Sequence, residues 1–334
     1  MIAALDFSKW FTVAAGAVSG PSLMRLRLKL LAWWDGENYD EAAAEAAIAE
    51  RFPNYKGVDL AGAATRDAND RYRDKLQNME NRLQVAELLW GPGYVGPGEP
   101  AWHADIVKPM TLNEEHSIVM VGAGLGGPAR DIANETGAWV AAYERRKDVE
   151  SACRQQCEAA GMGKKISTEL FSPLEFSLPE KKFQGFISLF ESHGIPDKME
   201  LITQSAGALQ KKKPFMLVDY VASEKHDSFP DAFSPYWGAV ELWTEDQYKD
   251  AIVSAGIDLR VHEDVTEKIL QMIADAWANW EQAVKKLEEV DIDDEDRYGL
   301  IRILSEEAQL WAARQEALKS RKLFIMRFFG LKKK

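Results

Sequence analysis

Ser117 to Arg130 reads SIVMVGAGLGGPAR, and this stretch decides the fold. Its first five residues are almost wholly apolar and predict a buried strand, Ser117–Val121. Gly122, Ala123, Gly124, Leu125, Gly126 and Gly127 follow, and a helix through Ala129 to Glu135 comes next. A strand-to-helix turn almost free of side chains lets a ligand approach the backbone at a helix N-terminus. Trp139 to Tyr143 (WVAAY) is the next strand, and Glu144 stands at its end, 22 residues past Gly122. A carboxylate there can accept both hydroxyl protons of a ribose and would repel a 2′-phosphate.

Outward from this unit, strands and helices alternate. Asp148 to Ala160 is a helix, and Phe183–Leu189 and Phe215–Val221 are apolar strands. Thr244–Ala255 is a helix, Asp258–Glu263 a strand, and Lys322–Leu331 (KLFIMRFFGL) a terminal strand after further helix. Strands that read as nearly continuous apolar runs belong to a parallel sheet covered on both faces. Two ligands offer a ribose to Glu144, NAD and S-adenosylmethionine. Gly122, Gly124 and Gly127 match G-x-G-x-x-G, so a dinucleotide oxidoreductase is one candidate. Against it, the loop follows more than 110 residues of helix and loop, and no second cofactor-half motif appears. There is one αβ half after the loop, not two, and a final strand follows the last helix.

Composition narrows the function. The 334 residues are 46% hydrophobic and 28% charged, which excludes global disorder. The formal net charge of −12 argues against nucleic acid as the main partner. The two cysteines, Cys153 and Cys157, lie four apart without zinc-type spacing, so no disulfide framework or zinc site is expected, and a reducing, cytoplasmic setting is. Asp291 to Asp296 imitates a calcium loop, but Asp296 stands where the glycine belongs and Arg302 where the last ligand belongs, so no metal is expected. Tyr39 to Phe52 predicts an Ala/Glu-rich helix ended by Pro53, and residues 66–89 a second helix with Leu76, Met79, Leu83 and Ala86 on one face. Met24 to Trp34 (MRLRLKLLAWW) is basic and apolar; packing on the body of the protein is its ordinary reading, and peripheral membrane contact the alternative.

Residues from about 75 to 331 resemble class I S-adenosylmethionine-dependent methyltransferases, nearest the branch of phosphoethanolamine, sterol and cyclopropane-fatty-acid methyltransferases. Four segments carry the likeness: Leu89 to Val95 (LWGPGYV), Val119 to Arg130 (VMVGAGLGGPAR), Leu217 to Tyr220 (LVDY), and Leu242 to Tyr248 (LWTEDQY) with Glu263 to Thr266 (EDVT). The resemblance implies the Rossmann-like seven-stranded sheet and S-adenosylmethionine as cofactor. It implies that Gly122, Ala123 and Gly124 cradle the cofactor, that Glu144 holds the ribose and that Arg145 borders the adenine. Trp90, Tyr94 and Val95 would close over it, Phe171 and Ser172 would flank the adenine, and Ser188 would begin the loop facing the methyl group. Three positions depart from the family pattern: Ser172 where an Asp often binds adenine, Gln184 where an acidic residue often opens a strand, and Asn78 near the position of a catalytic Tyr.

Methyl transfer needs positioning and, for a protonated nucleophile, a base. His193, with Glu191 nearby, stands where the family often places a histidine, and Tyr220 is a further candidate for binding substrate or supporting a base. His103, His116, His226 and His262 read as surface or packing residues, Lys211 to Lys213 as a solvated turn, and Arg314 as exposed. The stripe Leu270, Ile273, Trp277, Trp280, Val284 and Leu287 reads as core packing. The expected organisation is a helical N-terminal extension at 1–75, the cofactor-binding domain at 76–264, a helical substrate lid at 265–320 and a terminal strand at 321–334. A small or lipid-like acceptor under helices is the expected substrate, with a catalytically silent cofactor-binding protein as the alternative.

Overall fold

The computed structural model describes residues 40–53, 80–225, 229–233, 240–278 and 294–333, with isolated positions at 21, 24, 25, 28, 282, 283, 285, 286 and 292. Asn78, His226, Trp280, Val284, Leu287 and most of Met24 to Trp34 therefore lie outside the described residues. The chain divides into two compact units. One comprises residues 1–89 and 274–309, the other 90–273 and 310–334.

In the first unit, α1 (Glu41–Arg51) starts because the Asp40 carboxylate accepts the N–H groups of Ala42 and Ala43. It buries Ala44 and Ile48, and Arg25 pairs with Glu45. Residues 80–90 are helical, and of the expected face Ala86 is buried, Leu83 half-buried, with Val85 and Leu89 completing the covered side. Arg82 pairs with Glu306 and with Glu307, the latter at 3.2 Å.

In the second unit, α2 (Pro100–Val107) leads into the sheet, with proline at its first turn, where the absent N–H costs nothing. β1 (Ser117–Val121), α3 (Gly127–Thr136), β2 (Trp139–Glu144), α4 (Lys147–Ala159), β3 (Ile166–Leu170), β4 (Gly185–Leu189), α5 (Lys198–Ala208) and β5 (Pro214–Ala222) follow in order. A two-residue β6 (Trp243–Thr244), α6 (Glu245–Ser254), β7 (Ile257–Asp264), α7 (Thr266–Ala278), α8 (Asp294–Lys319) and β8 (Leu323–Lys332) complete the chain. The strand order is β3-β2-β1-β4-β5-β8-β7, with β6 beside β5. All neighbours are parallel except β8, which runs antiparallel between β5 and β7. β1, β4 and β5 are buried almost throughout, which explains their unbroken apolar runs. β3 was not anticipated as a strand. It is an edge strand with only Ile166 fully covered, so ISTEL carries no apolar run. Ser188 does not begin the loop after β4; it lies within that strand, fully buried beside Val121 and Leu217. In α7, Leu270, Ile273 and Trp277 are buried, as the stripe predicted.

Candidate functional site

The strand order reverses between β1 and β4, and at such a point the carboxyl ends of the strands leave a crevice for ligands. The glycine loop lies there. Gly122 (φ +82°) donates its N–H to the Tyr143 carbonyl at 3.1 Å. A Cβ on Gly122 would meet the Leu189 carbonyl at 2.8 Å and the Glu191 side chain at 2.6 Å, so both φ and space demand glycine. Ala123 is fully buried. Gly124 (φ +56°) gives its N–H to Glu144 Oε2 at 3.1 Å, while Arg145 gives its own to Oε1 at 3.0 Å. The carboxylate is thus fixed under the loop by two backbone donors, each oxygen keeping capacity for a further donor.

Glu144 is only 5% exposed. Burial first, and the neighbouring Glu191 second, push its carboxyl up to about 8, against the pull of Arg145 and the Gly124 N–H. Arg145 pairs with Glu191, whose own carboxyl is raised by burial. Glu191, the candidate catalytic residue near His193, pairs with Arg145 and backs Gly122 on the glycine-loop side, and His193 also acts on its carboxyl electrostatically.

The aromatic–glycine segment lies on the start of α3. Gly127 donates its N–H to the Gly93 carbonyl at 2.9 Å, and Val95 stands 3.0 Å from where a Cβ of Gly124 would be. The Tyr94 hydroxyl donates to Asp131, which also meets His103 Nδ1 at 2.7 Å, and the Tyr94 and His103 rings stack with centroids 5.9 Å apart. Burial and the Asp131 carboxylate raise the Tyr94 phenol above its ordinary value. His103, buried on α2, has the packing role expected of it. Trp90 packs on Trp311 with centroids 4.6 Å apart. Phe171 is buried against Phe176 and takes its N–H to the Glu144 carbonyl at 3.0 Å, whereas Ser172 is exposed.

A second group forms just past the ends of β4 and β5. His193 Nδ1 lies 2.6 Å from Asp219 Oδ1, and its backbone N–H donates to Oδ2 at 2.8 Å. Asp219 is fully buried and also accepts the Tyr220 N–H at 2.7 Å. A carboxylate that accepts these donors holds the ring as the Nδ1–H tautomer, with Nδ1–H donating to it and the lone pair of the imidazole on Nε2. Asp219 had no role assigned from sequence. Its signals were an acidic residue inside the apolar run FMLVDYVA and its place in LVDY, one of the segments that carry the resemblance. Tyr220 is buried, with its ring edge-on to His193 at 5.1 Å and to Phe233 at 5.2 Å. Arg314 is buried, contrary to the exposed position expected. Its guanidinium donates to the Ala232 carbonyl at 2.9 and 2.7 Å and to the Tyr220 hydroxyl at 3.3 Å, and stacks near Trp311, Phe233 and Tyr220. The covered face of the last helix, not its charge pattern, decides its position.

No family model matches the chain. It is 21% identical over 211 residues to a phosphoethanolamine N-methyltransferase of Plasmodium falciparum, covering 62% of this chain and 78% of that protein. A sterol 24-C-methyltransferase of Aspergillus fumigatus is 24% identical over 204 residues, 57% of this chain and 54% of its own length. Among solved structures, Haemonchus contortus phosphoethanolamine N-methyltransferase 2, in complex with phosphomonomethylethanolamine and S-adenosylhomocysteine, superposes with a TM-score of 0.63 at 16% identity, over 75% of this chain. The chain spans only 57% of that nematode protein. These likenesses support a class I S-adenosylmethionine-dependent methyltransferase. Its cofactor is S-adenosylmethionine, and the loop fits it: two positive-φ glycines without side chains, and a buried carboxylate held where a ribose would donate.

Proposed function

We propose that this methyltransferase transfers a methyl group to a small or lipid-like organic acceptor, with Glu144 holding the cofactor ribose and His193 serving as base. The observation that carries the reading is the pair of buried carboxylates on β2 and β5, with β1 and β4 between them. Glu144 is pinned under Gly124, and Asp219 is pinned to His193. Bound at the loop, S-adenosylmethionine supplies an already activated methyl group. Gly122, Ala123 and Gly124 leave room for it, Arg145, Phe171 and Ser172 border its adenine end, and Trp90, Tyr94 and Val95 close the loop above it.

Asp219 orients the imidazole, and His193 Nε2 takes the proton of the acceptor's nucleophile. Tyr220, Phe233 and the Arg314 guanidinium form one wall beside His193. That wall is apolar with a single cation, which suits an organic acceptor bearing an anionic or dipolar group. The named substrates of the relatives, phosphoethanolamine and sterols, support an acceptor of this size.

Titration calorimetry with S-adenosylhomocysteine and with NAD, followed by mass spectrometry of extract metabolites incubated with enzyme and S-adenosylmethionine, tests the reading. S-adenosylhomocysteine binding with a methylated small product is expected. Binding without any product would make the chain a silent cofactor-binding protein, and preference for NAD would make it an oxidoreductase.

A further inference from the structure

At the end of the sheet opposite the glycine loop, a cavity of about 240 Å³ opens where β1, β4 and β5 begin and β8 ends. A strand of five residues separates the two ends by roughly 15 Å, so this cavity is not part of the crevice described above. Its lining combines an apolar floor, including Met110 and Phe329, with the Gln184 amide and four basic side chains: His116 before β1, Lys212 and Lys213 before β5, and Arg260 on β7. Among the described residues no carboxylate lines it. In a chain with a net charge of −12, such a concentration of cationic groups runs against the average.

Lys211 to Lys213 had the character of a solvated turn, but this turn is fastened. Lys212 adopts φ +62°, its N–H donates to the Lys332 carbonyl at 2.8 Å, and the Lys332 N–H returns to the Lys213 carbonyl at 2.9 Å. The turn is thereby tied to the end of β8, and Lys213 is half-buried.

His116 is over-supplied with donors. Its Nδ1 accepts the Asn113 N–H at 3.2 Å, and its Nε2 faces the Lys213 ammonium at 3.2 Å. A neutral imidazole has a single ring lone pair, and an ammonium has none. Where Nδ1 accepts from Asn113, the Lys213 ammonium finds no acceptor on Nε2, and its donors are left for an oxyanion in the cavity. Burial and Lys213 lower the His116 imidazole below its ordinary value, while Glu115 acts in the other direction. Arg260 gives its Nε–H to Asp258 at 3.2 Å, and its remaining donors keep the fork geometry that suits tetrahedral oxyanions.

We infer that this cavity binds a compact oxyanion of the phosphate class, inorganic phosphate or a phosphate monoester, through His116, Lys212, Lys213 and Arg260. The volume exceeds several times the roughly 30 Å³ share of one water, which leaves room for a phosphate group and a few attached atoms.

Titration calorimetry of the full chain with inorganic phosphate, at ionic strength held constant with potassium chloride, tests the inference. One saturable site is expected, with affinity reduced at least about tenfold in Lys213→Gln and in Arg260→Gln and largely kept in Lys213→Arg. Unchanged affinity for S-adenosylhomocysteine checks that the variants are folded. Absence of a saturable site, or equal binding by wild type and both glutamine variants, overturns the inference. Two further arms separate the sources of the phosphate. Binding of methyl phosphate in solution assigns a free metabolite, and co-sedimentation with phosphatidic-acid vesicles, but not with phosphatidylcholine alone, assigns a lipid headgroup. Either result, lost in Arg260→Gln, supports the site.

Discussion

In the proposed reading, Glu144 carries the ribose contact in one side chain. Replacing it with Ala removes two acceptors from beneath the loop, each hydrogen bond being worth about 1 kcal/mol and more when charge-assisted. Affinity for S-adenosylhomocysteine should fall at least about tenfold by calorimetry, in a protein with unchanged circular dichroism. Its pH behaviour follows from the carboxyl being pushed up to about 8, from an ordinary 4.5. Ribose hydroxyls donate to the ionised form, so binding below pH 8 should release a proton, and affinity should rise as pH climbs towards that value. Glu144→Gln should abolish this rise. The stability of the ligand-free protein carries the opposite sign: between 4.5 and 8 the folded state holds the proton and the unfolded chain does not, so this group's contribution is lost as pH rises. Melting temperatures of wild type and Glu144→Gln across that window should therefore diverge at the alkaline end, with the glutamine variant the less pH-sensitive. For the proposed base, His193→Ala should lower turnover about 10²–10⁴-fold while S-adenosylhomocysteine affinity moves little. Turnover within a factor of about two of wild type would remove His193 from that role. Asp219→Asn should fall between them, because the imidazole remains but its orientation and tautomer are no longer imposed.

The contact between the aromatic–glycine segment and the start of α3 is a matter of elements, not of any one side chain. A Cβ at Gly127 would meet the Gly93 carbonyl at 2.6 Å, and that carbonyl accepts the Gly127 N–H. Gly127→Ala should destabilise the protein by about 1–3 kcal/mol in urea unfolding and weaken cofactor binding, as Val95 is pushed from Gly124. Gly96→Ala is the control, since nothing lies within 4 Å of its would-be Cβ, and it should change neither. This element pair also shows what the sequence disclosed. The loop was legible because Gly122, Gly124 and Gly126 occupy positive φ, which few other residues tolerate, and because β1 is buried along four of its five residues. Glu144 was legible by its place at the end of β2. β3 was not, since an edge strand with one covered residue looks like a polar connection. Asp219 was hidden for the converse reason: inside nine buried strand residues it reads as core, and only the fold brings it to His193. Arg314 was misread because charge suggests solvent, whereas three aromatic rings and the Ala232 carbonyl receive its guanidinium.

Across the whole molecule, charge discriminates between classes of acceptor. A protein that methylates RNA or DNA must neutralise several phosphates at once, and each contact makes affinity fall steeply with salt. With 41 Lys and Arg against 53 Asp and Glu, this chain carries a long-range field that repels a polyanion. A single organic acceptor at the proposed site would meet local groups such as His193, Tyr220 and Arg314, and would not face the summed field. The cationic cavity at the far end of the sheet does not alter this, since about 240 Å³ holds a phosphate group and not a polymer. Incubating the enzyme with tritiated S-adenosylmethionine and whole-cell extract separates the possibilities. Label is expected in the acid-soluble or organic-solvent fraction, absent with His193→Ala, and indifferent to nuclease treatment of the extract. Raising potassium chloride from about 50 to 200 mM should change incorporation less than about twofold, against the about 10³–10⁵-fold loss of affinity that six to ten phosphate contacts would bring. Label recovered chiefly in acid-precipitable, nuclease-sensitive material would overturn the small-acceptor reading, because no local arrangement at His193 could offset the repulsion of an extended polyanion.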